Sequence, residues 1–160
     1  MEVTYKKAAK SDVDALVRLR LDYLAADFGE LTAEQASHLR QTLPAYLERH
    51  LNEDLIALVA ESDNRLVGTC WLLVVHKPAS IAFMHGRTGA IFNVFVDPGY
   101  RKRGIARTLM LNLIDEARLL GLDRLELRAT AMGYDLYRSI GFADDESSHR
   151  AMNYSLGDKS

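Results

Sequence analysis

Val94-Phe95-Val96-Asp97-Pro98-Gly99-Tyr100-Arg101-Lys102-Arg103-Gly104-Ile105-Ala106-Arg107-Thr108 is the stretch on which the fold turns. A short apolar run stops at a proline, a basic turn containing glycine follows, and a helix begins. The first free amides of a helix point out of its N-terminus, where the helix dipole adds partial positive charge. Gly104 has no Cβ, so a ligand can approach the backbone closely. Arg101, Lys102, Arg103 and Arg107 add charge around the same point. Together they make an anion site fit for a pyrophosphate.

The elements on either side follow from periodicity. Downstream, Ile105, Ala106, Leu109, Met110, Leu113, Ala117 and Leu120 fall on one face of a helix from Gly104 or Ile105 to about Leu120, closed by Gly121. Arg124 to Thr130 alternates and reads as a strand. Met132 to Ile140 is a short helix closed by Gly141, and Arg150 to Leu156 alternates Met152, Tyr154 and Leu156 as a closing strand. The tail Gly157 to Ser160 is expected to fray.

Upstream, Gly89 to Asp97 is a strand preceded by a loop, Pro78 to Thr88. Asp54 to Glu61 and Arg65 to His76 form a hairpin about the turn Asp63-Asn64. Val3 to Ala8 is a first strand, and Ser11 is the expected N-cap of the next helix. That helix carries the stripe Val13, Leu16, Val17, Leu19, Arg20 and Leu24. Thr32 with Gln35 signals a capping box for a helix toward His50, which Pro44 should kink or split. The expectation is a single α/β domain over residues 1–160, a mixed, mostly antiparallel sheet of six to seven strands with about four helices on both faces.

Bulk properties narrow the function. The 160 residues make about one domain, 48% hydrophobic and 26% charged, as in an ordinary globular protein. A net charge of −2 argues against a general nucleic-acid binder, so the basic turn reads as a small-anion site. One cysteine, Cys70, rules out an internal disulfide and zinc-type cysteine pairs, and it reads as a buried structural thiol. The five histidines are dispersed, so no metal is expected. No apolar stretch approaches the roughly 20 residues of a membrane span, and the start of the chain lacks a signal-peptide core. A cytoplasmic location is expected. Trp71 packs in the core or lines a cleft.

Arg101-x-x-Gly104-x-Ala106, directly after a strand, resembles the acyl-CoA-binding signature of the GCN5-related N-acetyltransferases. Leu136-Tyr137-Arg138-Ser139-Ile140-Gly141-Phe142 resembles that family's later signature, in which an apolar-Tyr pair precedes Gly-Phe. The two lie in the family's order and spacing, and the resemblance covers essentially the whole chain. It implies transfer of an acetyl group from acetyl-CoA to a primary amine, with a small molecule or a peptide as acceptor. A non-catalytic acyl-CoA-binding module is the alternative. In such folds the pantetheine arm pairs with the free edge of the fourth strand, here Phe95 and Val96. Arg101 to Ala106, with Lys102, Arg103, Gly104 and Ile105 between, would wrap the pyrophosphate. Arg103 or Arg107 would reach the 3′-phosphate, and Thr108 would add a hydroxyl.

The resemblance makes Tyr137 the general acid, a phenol of pKa about 10 that stays protonated at neutral pH. The family often carries Asn at the end of the fifth strand and Ala three residues later; here Thr130 and Gly133 stand there, and Thr130 can offer a hydroxyl to the pantetheine arm. Many members place a Glu base on the fourth strand. This chain has Asn93, which cannot act as a base but can bind substrate or order a water. His85, Glu30 and Asp97 are the other titratable groups to weigh, each reading first as a solvated loop residue; an amine can also lose its proton to bulk water. The region of Leu21, Tyr23 and Phe28 would cover the acceptor side. A closing strand edge can pair across a two-fold axis into a homodimer.

Overall fold

The computed structural model describes residues 2–157. It divides into two compact units, Met1–Arg128 and Ala129–Ser160. Five strands are formed among the described residues: β1 (Thr4–Lys7), β2 (Leu55–Ser62), β3 (Arg65–His76), β4 (Arg87–Val96) and β5 (Arg124–Glu126). They make one sheet in the order β1-β2-β3-β4-β5. The first four are antiparallel to their neighbours, and β5 joins β4 in parallel. The sheet is mixed and mostly antiparallel, as expected, but it has five strands rather than six to seven.

The missing strand is the closing one. Residues 150–156 form no strand, and Met152, Tyr154 and Leu156 are 90%, 82% and 93% exposed. Their alternation defines a face, but a strand also needs a neighbouring edge for its backbone groups. β5 likewise stops at Glu126 instead of Thr130. Beyond Gly157 the expected fraying falls on residues outside those described.

Four α-helices are formed among the described residues: α1 (Val13–Phe28), α2 (Ala33–His50), α3 (Ile105–Leu119) and α4 (Tyr134–Ile140). α1 starts later than expected. Residues Lys10–Asp12 form a 3-10 turn, and Asp12, not Ser11, is the N-cap; its Oδ2 accepts from the Ala9 N–H at 2.9 Å. The Thr32 capping box is present: Gln35 N–H donates to Thr32 Oγ1 at 3.1 Å, and Thr32 N–H donates to Gln35 Oε1 at 3.0 Å. α2 runs as one helix through Pro44, so it is not split. The Asp63-Asn64 turn has φ of +51° and +61°, the pair of left-handed residues that a two-residue hairpin needs.

Alternation along the strands gives the sheet two buried faces. Trp71 and Phe95 join Leu16, Leu19 and Leu47 in the cluster under α1 and α2. On the opposite face, Ile105 and Leu109 of α3 pack against Gly68 of β3, where an added Cβ would lie 3.2 Å from Ile105. Leu16, Leu19, Leu109, Met110 and Leu113 are fully buried. Each such side chain contributes about 1.5–3 kcal/mol relative to exposure. The indole N–H of Trp71 is also satisfied, donating to Thr69 Oγ1 at 2.9 Å.

Candidate active site

The site is built around the second half of β4. Only Thr88, Gly89 and Ala90 pair with β5. From Ile91 to Val96 the described pairing of β4 is with β3 alone, so the edge on the β5 side is open there. Opposite that edge the β3 register shifts: Thr69 faces Phe95 and Trp71 faces Phe92, so Cys70 stands against both Asn93 and Val94. Asn93 takes φ +53° at this bulge. A bulge bends the strand and re-aims its side chains, and here it turns the Asn93 side chain into full burial.

Beyond β4 the chain builds an anion cradle. Asp97 ends the strand, its carboxylate bridging Arg18 at 3.5 Å and Arg65 at 3.7 Å. A 3-10 turn, Pro98–Tyr100, leads into the basic loop. Arg101 turns back: its Nε donates to the Val96 carbonyl at 2.9 Å and its guanidinium lies 5.4 Å from the Phe95 ring centroid. It latches the loop to the strand end. Lys102 and Gly104 are both left-handed, with φ +62° and +79°. Gly104 is the N-cap of α3, and a Cβ built there meets nothing within 4 Å.

The backbone at Gly104 thus faces open space beside the first free amides of a 15-residue helix. Lys102, Arg103 and Arg107 are exposed around it, Arg103 also lying 5.4 Å from the Tyr100 ring. Ile105 is buried and fixes the helix start from below, while the Thr108 hydroxyl donates to the Gly104 carbonyl at 3.0 Å. Amides, left-handed backbone and concentrated positive charge fit a diphosphate. Arg101, Lys102, Arg103, Gly104, Ile105, Ala106, Arg107 and Thr108 are therefore contiguous with Phe95 and Val96.

The acceptor-side candidates are dispersed. Glu30 is exposed just after α1. His85 lies before the start of β4, and from Arg87 to Asn93 that strand rises about 20 Å at ~3.3 Å per residue. His85 is instead paired with Asp123, Nδ1 to Oδ1 at 2.6 Å. That hydrogen bond, helped by the backbone N–H groups of Arg87 and His85, holds the Asp123 carboxyl below the ordinary carboxylate range against some loss of hydration. Asp123 thereby ties the starts of β4 and β5 together.

Asn93 has a partner that the sequence reading passed over. Arg20 Nη1 donates to Asn93 Oδ1 at 3.2 Å. The Arg20 guanidinium also lies 5.9, 5.8 and 5.7 Å from the ring centroids of Tyr23, Trp71 and Phe92. Its position, between Leu16 and Leu24 in an apolar stripe, was the available signal: an arginine where α1 faces the core.

In the second unit, Thr130 organises a turn, its Oγ1 accepting from Gly133 N–H at 3.2 Å and its carbonyl from Tyr134 N–H at 3.0 Å. Tyr137 lies on α4, its ring edge-on to Phe142 at 6.1 Å. A Cβ at Gly133 would lie 2.8 Å from Tyr137 Cε2, so glycine there is what lets the ring adopt this position. Tyr134 donates to Asp144 at 2.8 Å, a bond that raises its phenol above the ordinary value. Burial likewise pushes the Cys70 thiol up. Among the described residues no group of three or more His, Cys, Asp or Glu side chains could hold a metal ion, and no helix is long and apolar enough to cross a membrane.

Comparison with known proteins converges on one family. The model of the acetyltransferase (GNAT) family matches residues 20–142. The chain is similar to a [ribosomal protein bS18]-alanine N-acetyltransferase of Salmonella typhimurium, 36% identical over 98 residues. That stretch covers 59% of this chain and 56% of the relative, so little more than half of that protein is matched. An IAA acetyltransferase of Azospirillum brasilense is 31% identical over 134 residues, covering 82% of this chain and 78% of the relative. A crystal structure of a predicted acetyltransferase with acetyl-CoA from Clostridium acetobutylicum superposes with a TM-score of 0.82 at 25% identity, covering 95% of this chain and 96% of that one.

Proposed function

Because the chain belongs to the acetyltransferase (GNAT) family, we propose that it is an N-acetyltransferase that moves an acetyl group from acetyl-CoA to a primary amine, and that residues 1–160 act as one acetyltransferase domain. The observation that carries this reading is the left-handed cradle of Lys102 and Gly104 at the end of a strand whose edge is open from Ile91 onward. Acetyl-CoA, when bound, supplies the acetyl group as a thioester that an amine can attack.

The residues of the chain divide the remaining work. The amides between Lys102 and Arg107 hold the pyrophosphate, and Lys102, Arg103 and Arg107 offset its charge. Ile105 and Ala106 contribute backbone only, since Ile105 packs into the core. The open edge at Phe95 and Val96 offers backbone groups to the amides of the pantetheine arm, and an N–H there polarises the acetyl carbonyl as negative charge develops on it. Thr130 offers its hydroxyl to the arm. By the family resemblance Tyr137 gives a proton to the departing thiolate. β4 carries Asn93 where a base is common in the family, so the amine releases its proton to solvent.

Calorimetry tests the reading. Acetyl-CoA and free coenzyme A should both bind, ATP should bind far more weakly, and Gly104→Glu should abolish binding by placing bulk and negative charge against the pyrophosphate. Wild-type affinity in that variant, or no binding by the wild-type chain, refutes the donor site. Binding without thiol release on any amine would leave a non-catalytic acyl-CoA module.

A further inference from the structure

Two arginines two residues apart on α1 are treated differently by the fold. Arg18 spends its donors on Asp22 at 3.3 Å, Asp97 at 3.5 Å and the Leu66 carbonyl. Among the described residues Arg20 makes one hydrogen bond, to Asn93, and otherwise faces three aromatic rings. A guanidinium has five N–H donors, so most of those on Arg20 have no protein acceptor among the described residues. Burial lowers its pKa from the ordinary value, and among the described residues no carboxylate stands beside it to compensate. A partly buried cation is usually paired, because burial strips hydration from it. The rings recover part of that through their faces.

Asn93 repeats the imbalance. It is 0% exposed, its Oδ1 is used by Arg20, and its Nδ2 has no hydrogen-bond partner. A buried N–H₂ without an acceptor is costly to the fold. Cation and amide thus leave donors over in one cluster, with no further acceptor for them among the described residues. Two or more convergent donors around a positive charge are what a carboxylate takes. Arg20 is only partly buried, so an anion can reach its outer edge.

We propose that Arg20 and Asn93 form a carboxylate-binding subsite for the acceptor, so that the amine acetylated by this chain carries a carboxylate a few bonds away. This rests on the acetyltransferase reading above. Asn93 is two residues from Phe95, about 7 Å along β4. An anion held at Arg20 therefore places an amine a few bonds distant beside the strand edge where the thioester would lie. A free amino acid has this spacing. The rings of Tyr23, Trp71 and Phe92 around the guanidinium favour a flat or apolar substituent.

Trp71 is the only tryptophan, and the Arg20 guanidinium lies 5.8 Å from its ring centroid, so its fluorescence reports occupancy. The probes are reaction-product analogues, titrated with saturating coenzyme A: N-acetyl-L-alanine and N-acetyl-L-phenylalanine, each against its carboxamide. N-acetyl-L-aspartic acid α-amide, with only a side-chain carboxylate, separates a free amino acid from an acidic chain end. The α-carboxylates should bind at least tenfold more tightly than the amides. Arg20→Met should bring the ratio to about one. Asn93→Asp should do the same by supplying an internal anion, with melting temperature and coenzyme affinity retained, which guards against a variant that merely unfolds. Equal binding of acids and amides by the wild-type chain, or no binding of either, overturns the subsite while leaving the acetyltransferase reading intact. Preference for the aspartic α-amide reassigns the carboxylate to an acidic chain end and overturns the amino-acid acceptor. Failure of coenzyme A itself to bind refutes both.

Discussion

Single residues carry the proposed chemistry of this chain, and they differ in how openly they announce it. Gly104 and Tyr137 lie in motifs, so their positions can be read from spacing. Gly133 is legible only as a departure from the family pattern; its purpose emerges once the Tyr137 ring is seen to occupy the place of a Cβ. Arg20 is hidden because a stripe of apolar residues invites the eye to pass over one cation within it. Tyr137→Phe keeps the ring and its contact with Phe142 while removing the proton. Turnover should fall about 10²-fold or more, the usual scale for a lost general acid, with coenzyme affinity unchanged by calorimetry. Turnover equal to wild type would strip Tyr137 of that role.

Elements obey local signals where those signals include their own partners. The α2 start is an example: Thr32 and Gln35 satisfy each other's backbone groups without help from elsewhere. Thr32→Ala should cost about 1 kcal/mol. In a chain of this size that lowers the melting temperature by roughly 2–4 °C, measurable by circular dichroism; no shift would mean that the first turn of α2 is frayed in solution. Strands behave differently, because pairing is non-local. Arg150 to Leu156 alternates well and forms no strand, and β5 ends after three residues although Leu127 continues its pattern. The bulge at Asn93 had no sequence signal beyond an asparagine, a residue that tolerates φ near +53° better than most.

At the scale of the whole molecule, the order of elements and the mixed sheet were legible because hydrophobic period and turn residues agree throughout the first 126 residues. The acceptor side was not, because Arg20, Trp71 and Asn93 come from α1, β3 and β4 and meet only through the sheet register. The Asp123–His85 contact is of the same kind, joining residues far apart in sequence, and it makes stability depend on pH. The Asp123 carboxyl is held below its ordinary value in the folded chain, so its contribution is full at neutral pH. It fades as pH falls below about 4, the unfolded value, and onward through the folded one. Urea midpoints of wild type and Asp123→Asn should accordingly differ at pH 7 and converge toward pH 3; a gap independent of pH would contradict the assignment. Cys70 has a consequence of another sort. It is the sole thiol, fully buried on β3 with its ionisation suppressed, and an aromatic disulfide reagent added to the native chain finds nothing to react with. Colour in such an assay therefore reports released coenzyme alone, and in its absence the slow labelling of Cys70 clocks how often the sheet opens.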